Sequence, residues 1–207
     1  MLILKKIKKD FTTYNKFKYP KAGETVKATL WKPTKKCDEY GLYGLPEGNG
    51  NWHLLEGEVW TIIECDEKDV VVFDYKCKFK EGKIVYRSSK PPVEFGNKVK
   101  IDNSASAYYW AMDIGNKDVM IDRITDSEYA YYWAKCIGNQ NIMIDKVTNS
   151  EYAYYWAKYI GNQDVMINRI IKPYCAYLWA RDIGNRDVMI KRFPEIEERL
   201  SCESCQN

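Results

Sequence analysis

The residues best suited to chemistry are few and scattered. His53 is the only histidine, in the run NGNWHLLEGE, beside Trp52 and ahead of Glu56 and Glu58. An imidazole near carboxylates is a general-base arrangement, and His53 with Trp52 could instead orient a ligand; a single histidine near a strand start is ordinarily polar surface. The loop 41–50, GLYGLPEGNG, is rich in glycine but lacks the Lys-Ser/Thr pair of a phosphate loop and opens no evident helix. Cys202 and Cys205 form a CxxC, with no second CxxC and no neighbouring histidine to complete four zinc ligands. The seven cysteines are odd in number and irregular in spacing, which fits reduced thiols. These residues assign no catalytic group, no metal and no cofactor.

The elements that must position such residues are more legible. Of 207 residues, 45% are hydrophobic and 14% aromatic, enough to build packed cores. No apolar run approaches the roughly 20 residues of a membrane span. MLILKKIKKD puts its charges after a short apolar patch, the reverse of a secretory signal, so it reads as an edge strand or a frayed end. A cytoplasmic protein is expected. Residues 1–100 carry 20 basic and 14 acidic side chains, residues 101–192 carry 11 of each, and the remainder is acidic. The mildly basic head could meet an anionic partner, yet it falls short of a strong nucleic-acid footprint.

Trp110, Trp133, Trp156 and Trp179 stand 23 residues apart, and the preceding alanines and following glycines keep the same step. A fixed period in this range marks stacked repeats. Four units follow: 101–123, 124–146, 147–169 and 170–192. Each reads as a long helix and a short one. Asn149 is the N-cap of the third unit, and Pro173 in the fourth falls at the first helical position, which proline favours. Lys172 then makes a weaker cap. Ala153, Trp156, Ala157 and Ile160 trace a buried face, Gly161 ends the helix in a left-handed conformation, and Asn162 caps the short helix. A 23-residue hairpin cannot bury its own tryptophan, so the units must stack. After Arg192, FPEIEERL reads as a capping helix with Ile196 and Leu200 inward. Ser106, where later units have Tyr129 and Tyr152, predicts that the first unit meets the N-terminal domain instead of another repeat.

Two ladders recur with this period. Tyr108, Tyr131, Tyr154 and Tyr177 either pack between units or face a partner, since tyrosine is enriched in recognition surfaces. Arg123, Lys146, Arg169 and Arg192 either complement helix ends or contact phosphates. Met120, Met143, Met166 and Met189 read as core filler.

Residues 1–90 are rich in β-branched and aromatic residues and predict five or six strands in a mainly antiparallel sheet, punctuated by Glu81-Gly82. Residues 91–100, opening on Pro91-Pro92, are the linker. The fold class expected is α+β: a small β-rich domain over 1–90, then a short α-solenoid of four helical hairpins with a cap at 193–200 and a tail at 201–207.

Trp31-Lys32-Pro33-Thr34, Cys37, GLYGL (41–45) and KCKFKEGKIVY (76–86) together resemble an uncharacterised family of phage and bacterial domains. That family's pattern runs Trp-Lys-Pro-Thr, a cysteine, Gly-Leu-His-Gly-Leu, then a KVKF…VVY hairpin. The likeness covers about 70 residues of the chain. Tyr43 stands where the family carries histidine, so chemistry resting on that imidazole would be lost here. The 23-residue units resemble αα repeats appended to phage and bacterial proteins. The resemblance implies a mobile-element origin and a role against a host defence protein, in the host cytoplasm. The head also loosely resembles the ADP-ribosyltransferase class, for which Tyr43 with Glu56 or Glu58 would serve.

The function expected from the sequence is a non-enzymatic protein-binding module working through a solenoid face and the glycine-rich loop. Two alternatives remain open: nucleic-acid binding through the basic head and the Arg/Lys ladder, and a nucleotide-using transferase in the head.

Overall fold

The computed structural model of the chain describes residues 1–13, 16–48 and 55–204. Trp52, His53 and Cys205 lie outside the described residues. The fold is α+β, a sheet followed by helices. The strands are β1 (Leu2–Ile7), β2 (Thr25–Lys27), β3 (Leu42–Pro46), β4 (Val59–Glu64), β5 (Val70–Phe73), β6 (Lys76–Phe79) and β7 (Glu81–Ser88). They form one sheet in the order β2-β7-β4-β1-β3-β6-β5, with every pairing antiparallel.

The N-terminal segment is thus the middle strand of the described sheet and not an edge. Its apolar residues serve both faces: Ile3 and Ile7 on one side and Leu4 on the other are all essentially solvent-free. Ile3 and Ile7 pair across β4 with Ile63 and Val59, and these four join Val26, Leu42, Cys65, Cys77, Phe79 and Ile84 in one core. Glu47 anchors the strand's start, its two carboxylate oxygens accepting the N–H groups of Leu2 (3.1 Å) and Lys100 (3.2 Å).

Two expectations for this sheet are corrected. The KCKF and IVY segments are consecutive but unpaired, since β6 lies between β3 and β5 while β7 lies between β2 and β4. Gly82 is no turn residue. It sits inside β7, where an added Cβ would come within 2.4 Å of the Cys65 Sγ and 2.8 Å of the Glu64 carbonyl, so glycine permits the close approach of two strands. The extra strand arises from the turn at Asp74-Tyr75, which splits one apolar run into β5 and β6; Asp74 takes φ 49°, a conformation its short side chain tolerates.

Helices follow as hairpins: α1 (Ser104–Asp113) with α2 (Lys117–Met120), α3 (Ser127–Cys136) with α4 (Gln140–Met143), α5 (Ser150–Tyr159) with α6 (Gln163–Met166), and α7 (Pro173–Asp182) with α8 (Arg186–Arg192), then α9 (Glu197–Ser204). The chain divides into two compact units, Met1–Ile124 and Thr125–Asn207, so the first hairpin groups with the sheet. Ser106, the departure from the repeat's tyrosine, donates its hydroxyl to the Gly48 carbonyl at 3.0 Å, and Arg123 donates to the Val99 carbonyl at 3.1 Å. None of the described helices is long and apolar enough to cross a membrane.

Asn103, Asp126 and Asn149 cap their long helices through the side chain, whereas Lys172 provides no cap bond. The reversal between helices is made by Gly-Asn pairs with positive φ at both residues, 123° at Gly161 and 54° at Asn162. Asn162 makes no side-chain capping bond. It is there because asparagine accepts the left-handed conformation. In the second unit α3, α5 and α7 pack in succession, and Trp133, Trp156, Trp179, Met143, Met166 and Met189 are fully buried among small alanines. Ile196 and Leu200 close the stack inward, as the sequence predicts.

The indole N–H of Trp156 is buried without a hydrogen-bond partner among the described residues, so its contribution is one of packing. Trp156→Ala should destabilise the helical unit by about 3–5 kcal/mol. Trp156→Phe, which removes an unsatisfied donor along with some area, should cost clearly less, both read from urea unfolding followed by helical circular dichroism.

Candidate functional site

The basic ladder has an internal destination. The short helices α4 and α6 tighten into 3-10 turns at Ile144–Lys146 and Ile167–Arg169, where the carbonyls of Ile144 and Ile167 accept only the long 3.3 Å bonds from Val147 and Ile170. Arg169 reaches back one repeat and donates to the carbonyls of Val147 (2.7 Å) and Ile144. Arg192 does the same to Ile167 and Ile170, both at 2.7 Å. A planar guanidinium with several fixed donors suits two carbonyls at once. Lys146 holds the equivalent position in its own repeat.

A second clasp runs forward. The buried Ser127 hydroxyl accepts the N–H groups of Thr148 (2.9 Å) and Asn149 (3.0 Å), in the segment leading into α5. Ser150 accepts the N–H of Ile171 (2.9 Å) and donates to the Arg169 carbonyl (3.1 Å). In the last hairpin the serine gives way to Pro173, which has no hydroxyl to offer a following segment.

The tyrosine ladder divides by position. Tyr131, Tyr154 and Tyr177 are buried, while Tyr108 is half-buried. Tyr154 donates its hydroxyl to Asp182, which also binds Lys158 at 2.7 Å and Arg181 at 2.6 Å. These hydrogen bonds, Arg181 foremost, hold the Asp182 carboxyl well below the usual range against the opposing effect of burial. Tyr177 lies under the Arg199 guanidinium of α9, 4.1 Å from its ring centre. The ladder therefore belongs to the seams between helices.

The outward aromatic face is made by other tyrosines. Tyr129 and Tyr132 of α3, Tyr152, Tyr155 and Tyr159 of α5, and Tyr174 of α7 sit on the outer side of three successive long helices. The rings of α3 and α5 contact one another in a chain, with centroids 6.0 Å apart for Tyr129–Tyr132, 6.1 Å for Tyr152–Tyr155 and 6.3 Å for Tyr155–Tyr159. Tyr131 links the two helices, 6.1 Å from both Tyr152 and Tyr155. Tyr132, Tyr159 and Tyr174 are exposed by 37%, 57% and 59%. Lys135 lies over the Tyr159 ring at 5.0 Å. Tyr159 has no tyrosine at the equivalent position of other repeats, so periodicity alone did not single it out.

In the head, Tyr43 is part of a lock. Lys78, solvent-free in β6, donates to Thr34 Oγ1 at 2.7 Å and Asp38 Oδ1 at 3.1 Å. The Tyr43 hydroxyl accepts the Asp38 N–H at 2.9 Å and lies 3.0 Å from its carboxylate. Burial alone would raise the Asp38 carboxyl, but the bonds from Thr34, Lys78, the Tyr40 N–H and Tyr43 together hold it well below the usual range. The Trp-Lys-Pro-Thr and Gly-Leu-Tyr segments are thus tied together by a buried lysine. Glu58 lies elsewhere, in an exposed ion pair with Lys9 at 3.4 Å.

Arg169→Met strips the Val147 carbonyl of its arginine donor and leaves Ile144 only its long bond from Val147, and should cost the helical unit about 1–3 kcal/mol, measured by urea unfolding. For Asp38 the folded carboxyl titrates below its ordinary value near 3.8, so its stabilisation is complete above about pH 4 and is lost as pH falls further. Asp38→Asn should lower the urea midpoint of the head at pH 7 and shrink the difference between pH 7 and pH 3. Searches with the chain match no protein-family model, no curated protein and no solved structure, so the reading of these sites stands on their geometry.

Proposed function

We propose that the chain is a protein-binding module whose contact surface is the tyrosine face of α3, α5 and α7. One observation carries this reading: rings of α3 and α5 already pack against one another through Tyr131, yet Tyr132 and Tyr159, with Tyr174 on the next long helix, stay open to solvent. Tyrosine offers a large amphipathic contact at low side-chain entropy cost, and rings fixed before contact lose little further freedom. A nucleic-acid platform along the helices is less well supported, because Arg169 and Arg192 already donate to main-chain carbonyls. The finer form of the reading, a phage-encoded module directed at a host defence protein, draws its support from the resemblance of the head and of the 23-residue units to phage and bacterial domains.

The test compares the full chain with the triple variant Tyr132→Ala/Tyr159→Ala/Tyr174→Ala as baits, followed by mass spectrometry of captured proteins. These side chains are exposed, so the variant should keep its helical signal. A specific protein should be recovered by the parent chain and reduced about tenfold or more with the variant, which corresponds to losing a modest hot spot. Equal recovery by both baits would refute the tyrosine face as the contact surface.

A further inference from the structure

β1 and β3 are paired only at Ile3↔Pro46 and Leu4↔Leu45. Beyond that point they part, because Leu42–Gly44 turn to β6 while β1 continues along β4. A cleft of about 390 Å³ opens in the split. Its lining includes Lys5, Lys6, Lys8 and Lys76, with Glu56 as the one carboxylate among the described residues that line it. Thr12 and Thr13 supply hydroxyls, and Tyr43, Tyr75 and Leu55 supply apolar wall.

Lys5 is the informative residue. It lies on the core face of β1 between Ile3 and Ile7, and its ammonium crosses the split to donate to the Tyr43 carbonyl at 2.7 Å. That uses one of three N–H donors, and Lys5 forms no ion pair among the described residues. Thr61, its cross-strand neighbour on β4, buries a hydroxyl without a hydrogen-bond partner among the described residues, and so does Tyr19, whose ring centre is 6.0 Å from the ammonium. A half-buried cation with spare donors, lining a cleft beside orphaned hydroxyls, is poised to take a further acceptor. Lys76 is close enough for the two ammonium charges to oppose each other. An anion between them removes that repulsion.

We propose that the split between β1 and β3 binds a small phosphorylated molecule, its phosphate held by Lys5 and Lys76 and its organic part against Tyr43, Tyr75 and Leu55. Several cations and hydroxyls around one cleft suit a multiply charged oxyanion better than a single carboxylate. The volume fits a small-molecule site. This site is independent of the tyrosine face and belongs to the other unit.

The pH dependence follows from the surroundings of Lys5. Burial brings its amine down to about 8, with Cys77 acting against the shift and Lys76 adding to it. The groups facing it are the Tyr43 carbonyl on β3, Lys76 and Cys77 on β6, Thr61 on β4 and Tyr19. Burial pushes the Cys77 thiol up to about 12 and raises the Tyr19 phenol, so both stay neutral across the range in question. The ammonium is the form that holds an anion, so binding should weaken as pH rises through 8.

Isothermal titration of the full chain at pH 7 and low salt, with pyrophosphate and separately with ADP, tests the proposal. Pyrophosphate should bind one to one with a Kd below about 1 mM, and ADP should bind more tightly. Lys5→Met and Lys76→Met should each weaken binding about tenfold or more, whereas Lys83→Met, an exposed lysine on β7, should leave it unchanged. Raising the pH from 7 to 9 should weaken binding to the parent chain but not to Lys5→Met. If Lys5→Met fails to fold, the half-buried Lys76 position carries the test. No binding at millimolar pyrophosphate, or binding indifferent to both lysines, would overturn the site; ADP no tighter than pyrophosphate would overturn the aromatic wall.

Discussion

A carbonyl at the end of a short helix must find a donor, and in this chain the donor comes from the next repeat. Four residues of α-helix followed by a 3-10 turn leave the carbonyls of Ile144 and Ile167 with one long 3.3 Å bond each, and those of Val147 and Ile170 facing the next hairpin. Arg169 and Arg192 close them from one hairpin further along, and Ser127 and Ser150 pin the connecting segments in the opposite sense. Apolar burial of the tryptophans drives the hairpins together, but it is non-directional. The arginine and serine bonds set the offset between them. The order of the tyrosine face depends on that offset, since its rings meet only if successive long helices keep a fixed spacing.

The head rests on a comparable economy of polar contacts. Glu47 fastens β1 to the segment after the sheet through two main-chain amides, and Lys78 fastens the 34–43 loop through Asp38 and Thr34. Both are buried groups whose hydrogen bonds are filled. Lys5 is the contrast: half-buried on β1, it has a single acceptor among the described residues. The two ammonium groups stand two strands apart in one sheet, and that of Lys5 lines the cleft.

Much of this was legible from residue order. The 23-residue step located every long helix, Asn149 its cap, Pro173 its first turn, and Ile196 with Leu200 the closing surface. The sense of the two ladders was not. Tyr131 and Tyr154 look as available as Tyr132 and Tyr155 in a run of adjacent tyrosines, and only the helical phase relative to the tryptophan separates buried from open. Arg169 could point to solvent or to a neighbouring carbonyl, a choice made by tertiary contact. In the head, β1 hid its central place behind four lysines, and the turn at Asp74 lacked the glycine that usually announces a hairpin. The cleft was invisible because it forms where two strands stop pairing, a property of register and not of composition.

Pro173 has a consequence for how such an array can lengthen. The serine at the start of each preceding long helix is the socket into which the following segment plugs, and proline removes the socket while keeping the helix start. A copy of the terminal hairpin added at its own end would therefore enter without the serine clasp, held by its arginine and its apolar seam alone. A copy of an interior hairpin carries its own hydroxyl and keeps both clasps.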